Sequence, residues 1–508
     1  MRGPMRQEDQ QMRGRKEQEE VNRIRALCMD ARNNGQSIVV VQGLGFVGAV
    51  NAAVVATSGR TEQPPFFVIG VDLPNSPMLA RIVAINSGIN PFKTTDPEVM
   101  RIFDEAVNVR KNLSATWILE AYEEADIVLV DINLDVTKHE VGNAEKFSVA
   151  MEAFRHAVAT LGERIKPDCL IMVETTVPPG TVESVVKPTI QASFENRGFD
   201  STEFPPLVAH AYERVMPGSD YVKSIRSMWR TYSGVSDTAK LRARKFLEAI
   251  TETDKFPLTC LGRPSASELA KVLENSYRAV NIALIHEWTL LAEAMGVNLW
   301  EVVESIRVRK GTHDNMMSPG FGVGGYCLTK DSLLAQWSSQ ELFANASNLA
   351  FALHAINVND LMPIHTCELL YRGVGSDLAG KKVTILGASY RKDVDDTRNT
   401  PSLVAYEWFV EHGAEVAVHD PLATEFVDRP DVRIEKDIEA ALRKASGIVL
   451  AVDHAEYREA SIDSLSAHVE PNAIFVDANN ILTDDRIRLL KRSGFQVSGV
   501  GKGHISDL

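Results

Sequence analysis

Cysteine is the scarcest feature of functional weight in this chain. Cys28, Cys169, Cys260, Cys327 and Cys367 are scattered through 508 residues, and none forms a C-x-x-C pair. That spacing argues against a zinc site or any other metal centre and against a disulfide framework, and it favours a reducing, cytoplasmic compartment. Positive charge is also short: 54 Lys+Arg against 68 Asp+Glu leave a formal net charge of −14. This balance excludes nonspecific binding to nucleic acid or to an anionic membrane, although local arginines can still hold an anionic substrate. The polar, charged N-terminus does not read as a secretory leader. Nor is there an unbroken span-length apolar run. Ile38–Ala56 comes close, but Gly43, Gly45 and Gly48 interrupt it, so it reads as a buried strand and helix. The rest is ordinary globular composition, 44% apolar and 24% charged, and a chain of this length is expected to form about two to four domains.

Residues 1–35 form a charged extension of mixed sign. Its second half has helical periodicity through Val21, Ile24, Leu27 and Cys28, and its first half is expected to be disordered. From Ser37, apolar β-branched runs alternate with helix-length segments: "SIVVVQG", "FFVIGVD", "DIVLVDI" and "CLIMVET". That pattern predicts a parallel sheet covered on both faces over 36–235. Residues 236–365 are largely helical. "ASELAKVLENSYRAVNIALIHEWTLLAEAMGV" predicts one long, largely buried helix that links two domains and carries a dimer interface. The alternation restarts over 366–508 with "KKVTILGAS", "EVAVHDP", "GIVLAVD" and "AIFVDAN". The expected fold is therefore α/β: two Rossmann-like doubly wound parallel-sheet domains joined by a central helical domain.

The first strand runs into "GLGFVG". A lone G-x-G-x-x-G is weak, but here it follows a strand, opens a helix and precedes a strand ending in Asp72. Gly43 permits the tight turn, Gly45 a close approach to a pyrophosphate, and Gly48 packing of helix on sheet. Phe46 and Val47 start the helix, whose N-terminus supplies amide donors. Asp72 suits adenosine ribose hydroxyls and would repel a 2′-phosphate, so the cofactor is predicted to be NAD rather than NADP.

"GFGVGGYCLTKD", Gly320–Asp331, places Cys327 after a glycine-dense stretch and beside Lys330. Glycines let backbone approach a ligand, and a thiol near a cation tends toward thiolate. The loop reads either as a nucleophile at a ligand or as a turn that holds a buried cysteine. On the long helix Glu268, Lys271 and Asn275 share a face. A cation and an amide donor there could stabilise an oxyanion, or the face could simply be solvated. "ETTVPPGT", with Thr175 and Thr176, follows a strand, as does "AHAYERVMPGS", with Glu213 and Arg214. In "SYRKDVDDTRNTPS", Lys392 and Arg398 suit phosphate, or form a charged surface turn.

In order and spacing, "GLGFVG", "TTVPPGT", "ERVMPG", "ELAKVLEN", "GFGVGGYC" with "KD" behind it, and "YRKDVDDTRNTPS" resemble the UDP-glucose/GDP-mannose dehydrogenase family, the nucleotide-sugar 6-dehydrogenases. The resemblance runs from about Ser37 to the C-terminus, and its loops are closer to the UDP-N-acetylhexosamine branch. It implies an NAD-binding domain, a central helix that builds a homodimer, and a C-terminal nucleotide domain. It also implies that Cys327 is the nucleophile, with Lys271 and Asn275 as its helix pair and Asp331 as the aspartate after the cysteine. Thr176 and Glu213 would lie near the reacting carbon and its water, and Lys330 and Arg398 would contact cofactor and substrate. Arg214, His313, Gly320, Gly324, Gly325 and Lys392 fall on the substrate side. The implied chemistry is a four-electron oxidation at C6 through a thiohemiacetal and a thioester.

Four positions depart from the family pattern. Asp131-Ile132-Asn133-Leu134 stands where a Thr-Pro turn is usual, and Tyr212 stands where a proline is expected. His313 occupies the place of an arginine that reaches a neighbouring subunit, with Arg309 close by, and Thr329 replaces a proline. Competing readings are a UDP-glucose or GDP-mannose enzyme, a two-electron β-hydroxyacid dehydrogenase of the 6-phosphogluconate type, and a noncatalytic nucleotide-sugar sensor.

Overall fold

A computed structural model of the chain describes residues 7–59, 64–212, 214, 218 and 220–508. The chain divides into two compact units. The first holds residues up to 136, 149–272 and 337–346; the second holds 137–148, 273–336 and 347–508.

The first unit is built on an eight-stranded sheet. In chain order its strands are β1 (Ser37–Gln42), β2 (Phe66–Val71), β3 (Leu113–Thr116) and β4 (Ile127–Val130). The strands β5 (Val136–Lys138) and β6 (Phe147–Val149) form a separate two-stranded sheet, most of which belongs to the second unit. The eight-stranded sheet continues with β7 (Leu170–Val173), β8 (Leu207–Tyr212), β9 (Thr231–Gly234) and β10 (Thr259–Cys260). The spatial order is β10-β9-β8-β7-β4-β1-β2-β3. β2, β4 and β7 are buried along their whole length, as their unbroken Val/Ile/Leu/Phe runs require of strands covered on both faces. Val39 of β1 pairs with Val68 on one side and Ile127 on the other. Strand order therefore reverses between β1 and β4, and the crevice beyond their C-terminal ends is where such sheets take ligands. The sheet is not wholly parallel: β8 and β9 pair antiparallel, an edge arrangement common on otherwise parallel sheets.

The second unit contains a six-stranded, wholly parallel sheet of β11 (Lys382–Leu386), β12 (Glu415–His419), β13 (Ile434–Glu435), β14 (Ala445–Leu450), β15 (Ile474–Asp477) and β16 (Gln496–Gly499). Its order is β13-β12-β11-β14-β15-β16. Val383, Ile385, Val449 and Val476 face one apolar core, and Leu386, Ile448, Leu450 and Phe475 the other. Side chains alternate across each strand, so both faces are covered.

Two further expectations need correction. The described part of the N-terminal extension is one helix from Gln7 to Asn33, which takes in residues from 7 onward of the stretch expected to be disordered; residues 1–6 lie outside the described residues. Its apolar stripe of Val21, Ile24, Cys28 and Ala31 is buried. Polar bonds fasten it to the first sheet: the Arg23 guanidinium donates to Ser114 Oγ at 3.0 Å, and the Thr116 hydroxyl donates to Glu20 at 2.7 Å. Mixed charge, read as a disorder signal, here supplies pairs one turn apart such as Arg15–Glu19. The long helix Pro264–Ala294, 31 residues, is present but not largely buried. Val272, Ala279, Ile285 and Ala292 face inward. Leu273 (60% exposed), Tyr277, Leu284, Trp288 (53%), Leu291 and Met295 form a continuous exposed apolar stripe. Sequence periodicity counts apolar positions without saying which of two stripes is covered.

If docking holds the N-terminal helix in place, Ile24→Asp should expose it. Trypsin should then cut within residues 14–33 several-fold faster than in the wild type while the remaining chain resists. Equal rates would mean the helix is stable undocked.

Candidate functional site

At the end of β1, Gly43 adopts φ +96°, and its amide bonds the Val71 carbonyl at 2.9 Å. A side chain there would press within 2.8 Å of the Asp131 carbonyl. At Gly48 a Cβ would sit 2.0 Å from the Gly43 carbonyl oxygen, so no other residue lets the helix Phe46–Ala56 approach the turn. Gly45, the N-cap of that helix, faces open space within 4 Å. An amide-rich helix start behind open space is what a pyrophosphate needs. Asp72, at the end of β2, accepts from the Leu44 and Leu73 amides at 3.0 and 2.8 Å, which fixes its carboxylate beside the turn. Phe46 stacks on Phe92 with ring centroids 4.3 Å apart, and Val47 is half-buried. These residues fit NAD.

Below the reversal point lies a buried polar chain that sequence reasoning missed. Arg230 pairs with Glu174 at 3.0 Å, and Asn51 donates to Glu174 at 2.6 Å and to Asp131 at 3.0 Å. Asp131 belongs to the segment that replaces the usual Thr-Pro turn. The sequence marks it only as a departure, because its partners are distant along the chain. Thr175 donates to the Val130 and Ile132 carbonyls at 3.0 and 2.8 Å, and half-buried Thr176 follows it.

Glu268 serves a purpose that helix-face spacing did not reveal. Its buried carboxylate accepts from the Gly180 and Val182 amides at 2.6 and 2.8 Å, anchoring the Pro-Pro-Gly turn to the long helix. Burial pushes it up to about 7 against the pull of those two amides. One turn on, Lys271 is buried with its ammonium 5.4 Å from the centroid of the Tyr212 ring. Arg214 lies 5.1 Å from the same centroid and donates to the Tyr212 hydroxyl at 3.1 Å. Glu213 lies outside the described residues.

In the second unit Cys327 is exposed, which rules out the buried-turn reading of its loop. Its carbonyl accepts from the Lys330 and Asp331 amides at 3.1 and 3.0 Å, so it sits one turn ahead of the helix Asp331–Glu341. The buried Asp331 carboxylate receives Asn275 at 2.6 Å and the Lys330 ammonium at 3.2 Å. Lys330 also lies 4.6 Å from the Tyr326 ring centroid. Gly324 and Gly325 would collide with Tyr390 if they bore side chains, at 2.5 and 2.9 Å, and Gly320 would meet Asn479 at 2.8 Å. The glycines thus press the loop onto the segment after β11. The Gly325 amide bonds the Arg398 carbonyl there, and Thr329 donates to the Gly325 carbonyl at 2.8 Å. Arg398 forks onto Asp396 at 2.5–3.1 Å. Burial works against its charge, but those bonds and the nearby Asp396, Tyr390 and Cys327 raise it above the usual guanidinium range. The Arg398 guanidinium also lies 5.6 Å from the centroid of the Tyr326 ring, one residue before Cys327.

Lys392 is exposed in the same loop, and half-buried His313 contacts Thr312 at 2.9 Å, one turn from Arg309. A further cluster, unread in the sequence, sits at the reversal point between β11 and β14. Asp420 accepts from the Ala388 and Ser389 amides at 2.7 and 3.1 Å and meets His454 at 3.2 Å. Burial opposes its charge, yet the bond and charge of His454 and the Ala423 and Leu422 amides, which donate to its other oxygen, hold it down to about 2.

A glycine-rich dinucleotide turn, an exposed cysteine beside cations and a second nucleotide-type sheet define an NAD-dependent dehydrogenase with a separate nucleotide domain. The chain belongs to the UDP-glucose/GDP-mannose dehydrogenase family: its NAD-binding domain matches residues 37–251, its central domain 265–360 and its UDP-binding domain 384–484. It is thus an NAD-dependent nucleotide-sugar dehydrogenase. It is 30% identical over 472 residues to the UDP-N-acetyl-D-mannosamine dehydrogenase of Methanocaldococcus jannaschii, covering 92% of this chain and 97% of that one. The Pyrococcus horikoshii enzyme of the same name is 29% identical, at 92% and 100% coverage. Among solved structures, the NDP-N-acetyl-D-galactosaminuronic acid dehydrogenase of Methanosarcina mazei superposes with a TM-score of 0.76 at 27% identity, covering 95% of this chain and 98% of that one.

Because Glu268 holds its proton to about 7 when folded and to 4.5 otherwise, its contribution to stability falls as pH rises through that window. The melting temperature of the wild type, measured relative to Glu268→Gln, should drop between those two values. A constant difference would mean that the carboxylate ionises normally.

Proposed function

We propose that this chain oxidises the C6 hydroxymethyl of a UDP-N-acetylhexosamine to a carboxylate in a four-electron reaction carried by Cys327. The observation that carries this reading is the exposed thiol of Cys327 on a glycine loop, with Arg398 near it and Asp331 bound by Asn275 and Lys330. The substrate class is supported by the relatives, whose names specify N-acetylated hexosamines or their acids. Residues 36–235 would bind NAD, 236–365 would carry the cysteine loop and dimer interface, and 366–508 would hold the nucleotide.

NAD, when bound, accepts a hydride at each of the two oxidations. Gly43, Gly45 and Gly48 would hold its pyrophosphate, Phe46 and Val47 would line the helix start, and Asp72 would take the ribose hydroxyls. Cys327 thiolate adds to the C6 aldehyde. The resulting thiohemiacetal keeps a reactive intermediate bound, and its oxidation leaves a thioester. Lys271 and Asn275 stabilise the oxyanion of each tetrahedral species. Thr176 and Glu213 position the reacting carbon and the water that cleaves the thioester. Lys330 and Asp331 hold the loop. Arg398, Arg214, His313 and Lys392 supply polar contacts to the nucleotide sugar.

Counting products tests the reading. Two NADH per acid are expected with UDP-N-acetylmannosamine and NAD, whereas one NADH per product would favour the two-electron hydroxyacid reaction. Cys327→Ser should lose acid formation by at least about a thousandfold, and full turnover in Cys327→Ala would discard the covalent route. Nucleotide-sugar stabilisation without NADH release would favour a sensor.

The exposed stripe on the long helix supports a homodimer. Continuous apolar surface of this kind marks an interface, and Leu284, Trp288 and Leu291 lie within it. Leu284→Glu with Trp288→Glu should halve the mass measured by sedimentation. A wild type that already sediments as a monomer would contradict the dimer. Among the described residues no helix is long and apolar enough to cross a membrane, and the five free thiols suit the cytoplasm.

A further inference from the structure

Tyr212 occupies the place where the family pattern has a proline, so the pattern assigns it no role. The residue ends β8 and is almost fully buried. Its ring receives two cations: the Lys271 ammonium 5.4 Å from the centroid and the Arg214 guanidinium 5.1 Å from it. Arg214 also donates to the Tyr212 hydroxyl and to the Trp229 carbonyl, which ties the ring to the neighbouring segment. A buried lysine ammonium has lost water and needs replacement contacts. The face of an aromatic ring provides one, and it favours the charged amine over the neutral one. A proline could fill the space but has no such face.

The rest of β8 near Lys271 adds no competing cation. His210, two residues before Tyr212, is fully buried, and its Nδ1 lies 2.7 Å from Ser267 Oγ, which in turn lies 2.6 Å from Ser233 Oγ. Burial first, and the Lys271 charge second, push His210 down to about 3, so it is neutral at working pH. Lys271 thus lies over an aromatic ring, and the histidine of the same strand brings no positive charge to it.

We propose that Tyr212 is a positioning residue for Lys271, its ring holding the ammonium in place as a fixed positive charge. This rests on the reading of Lys271 as an oxyanion stabiliser. It also deepens that reading: a lysine held charged by a ring serves as an electrostatic group rather than as a proton relay. The ring carries the effect, and the hydroxyl serves Arg214.

The test compares Tyr212→Phe, which keeps the ring, with Tyr212→Leu and Tyr212→Met, which remove it. Two ringless variants are used so that a folding defect in one does not end the test. Tyr212→Phe should keep kcat within about threefold of wild type, while the ringless variants should lose roughly tenfold or more, with the KM for NAD and the melting temperature held. A second readout needs no turnover. Limiting acetic anhydride followed by peptide mass spectrometry should acylate Lys271 faster in the ringless variants and at the wild-type rate in Tyr212→Phe. Folded ringless variants with wild-type kcat and labelling would overturn the proposal. So would a Tyr212→Phe as impaired as Tyr212→Leu, which would assign the effect to the hydroxyl. A wild type that oxidises no nucleotide sugar would sink the functional reading and leave the labelling comparison standing.

Discussion

A buried carboxylate holds the cysteine loop in place. Asp331 is almost wholly removed from water, so its charge must be met inside the protein. Asn275 meets it from the long helix and Lys330 from its own loop, and its backbone amide is bound by the carbonyl of Cys327. One side chain therefore sets where the helix Asp331–Glu341 starts and how the cysteine ahead of it is presented. Removing either partner would leave a buried charge uncompensated, which costs more than the pair contributes. The glycines complete the arrangement by letting the loop lie against Tyr390 without collision.

The two sheets repeat one solution with different chemistry. In the first, Gly43 turns at positive φ and Asp72 takes the Leu44 amide from the same turn. In the second, Gly387 turns at φ +112° and Asp420 takes the Ala388 and Ser389 amides. Each acidic residue follows the strand beside the turn and fixes that loop at the reversal point. The first turn opens onto Gly45, with space for a pyrophosphate. The second is closed by His454 and Ser389 around Asp420, so it shapes the loop carrying Arg398 rather than copying the dinucleotide site.

Much of this was legible in the sequence. Strands β1, β2, β4 and β7, and later β14 and β15, announce themselves as apolar runs, because strands buried on both faces need them, and β11 and β12 do so through shorter runs of Val, Ile, Leu and Ala. Strands β10 and β13, of two residues each, carry no pattern, and β3 (LSAT) breaks its apolar positions with Ser114 and Thr116. The glycine turn was readable because steric demands fall on fixed spacings. Glu268 and Asp131 were recognised as residues but not as a turn anchor and a buried network. Their partners come from distant segments that no local pattern connects. Tyr212 stood out only as a departure from a motif, and its meaning appears when Lys271 is placed over its ring. The N-terminal helix was underestimated because charge alone does not distinguish a solvated coil from a helix with a narrow buried stripe.

The central claim is that one sulfur carries the sugar between two oxidations. Rapid acid quenching during turnover, followed by mass spectrometry of the peptide bearing Cys327, tests it most directly. The account predicts a transient adduct on that cysteine whose mass equals the nucleotide sugar oxidised at C6 to the acyl level, absent before substrate is added and gone after exhaustion. Steady acid production with an unmodified Cys327 peptide at every quench time would contradict it.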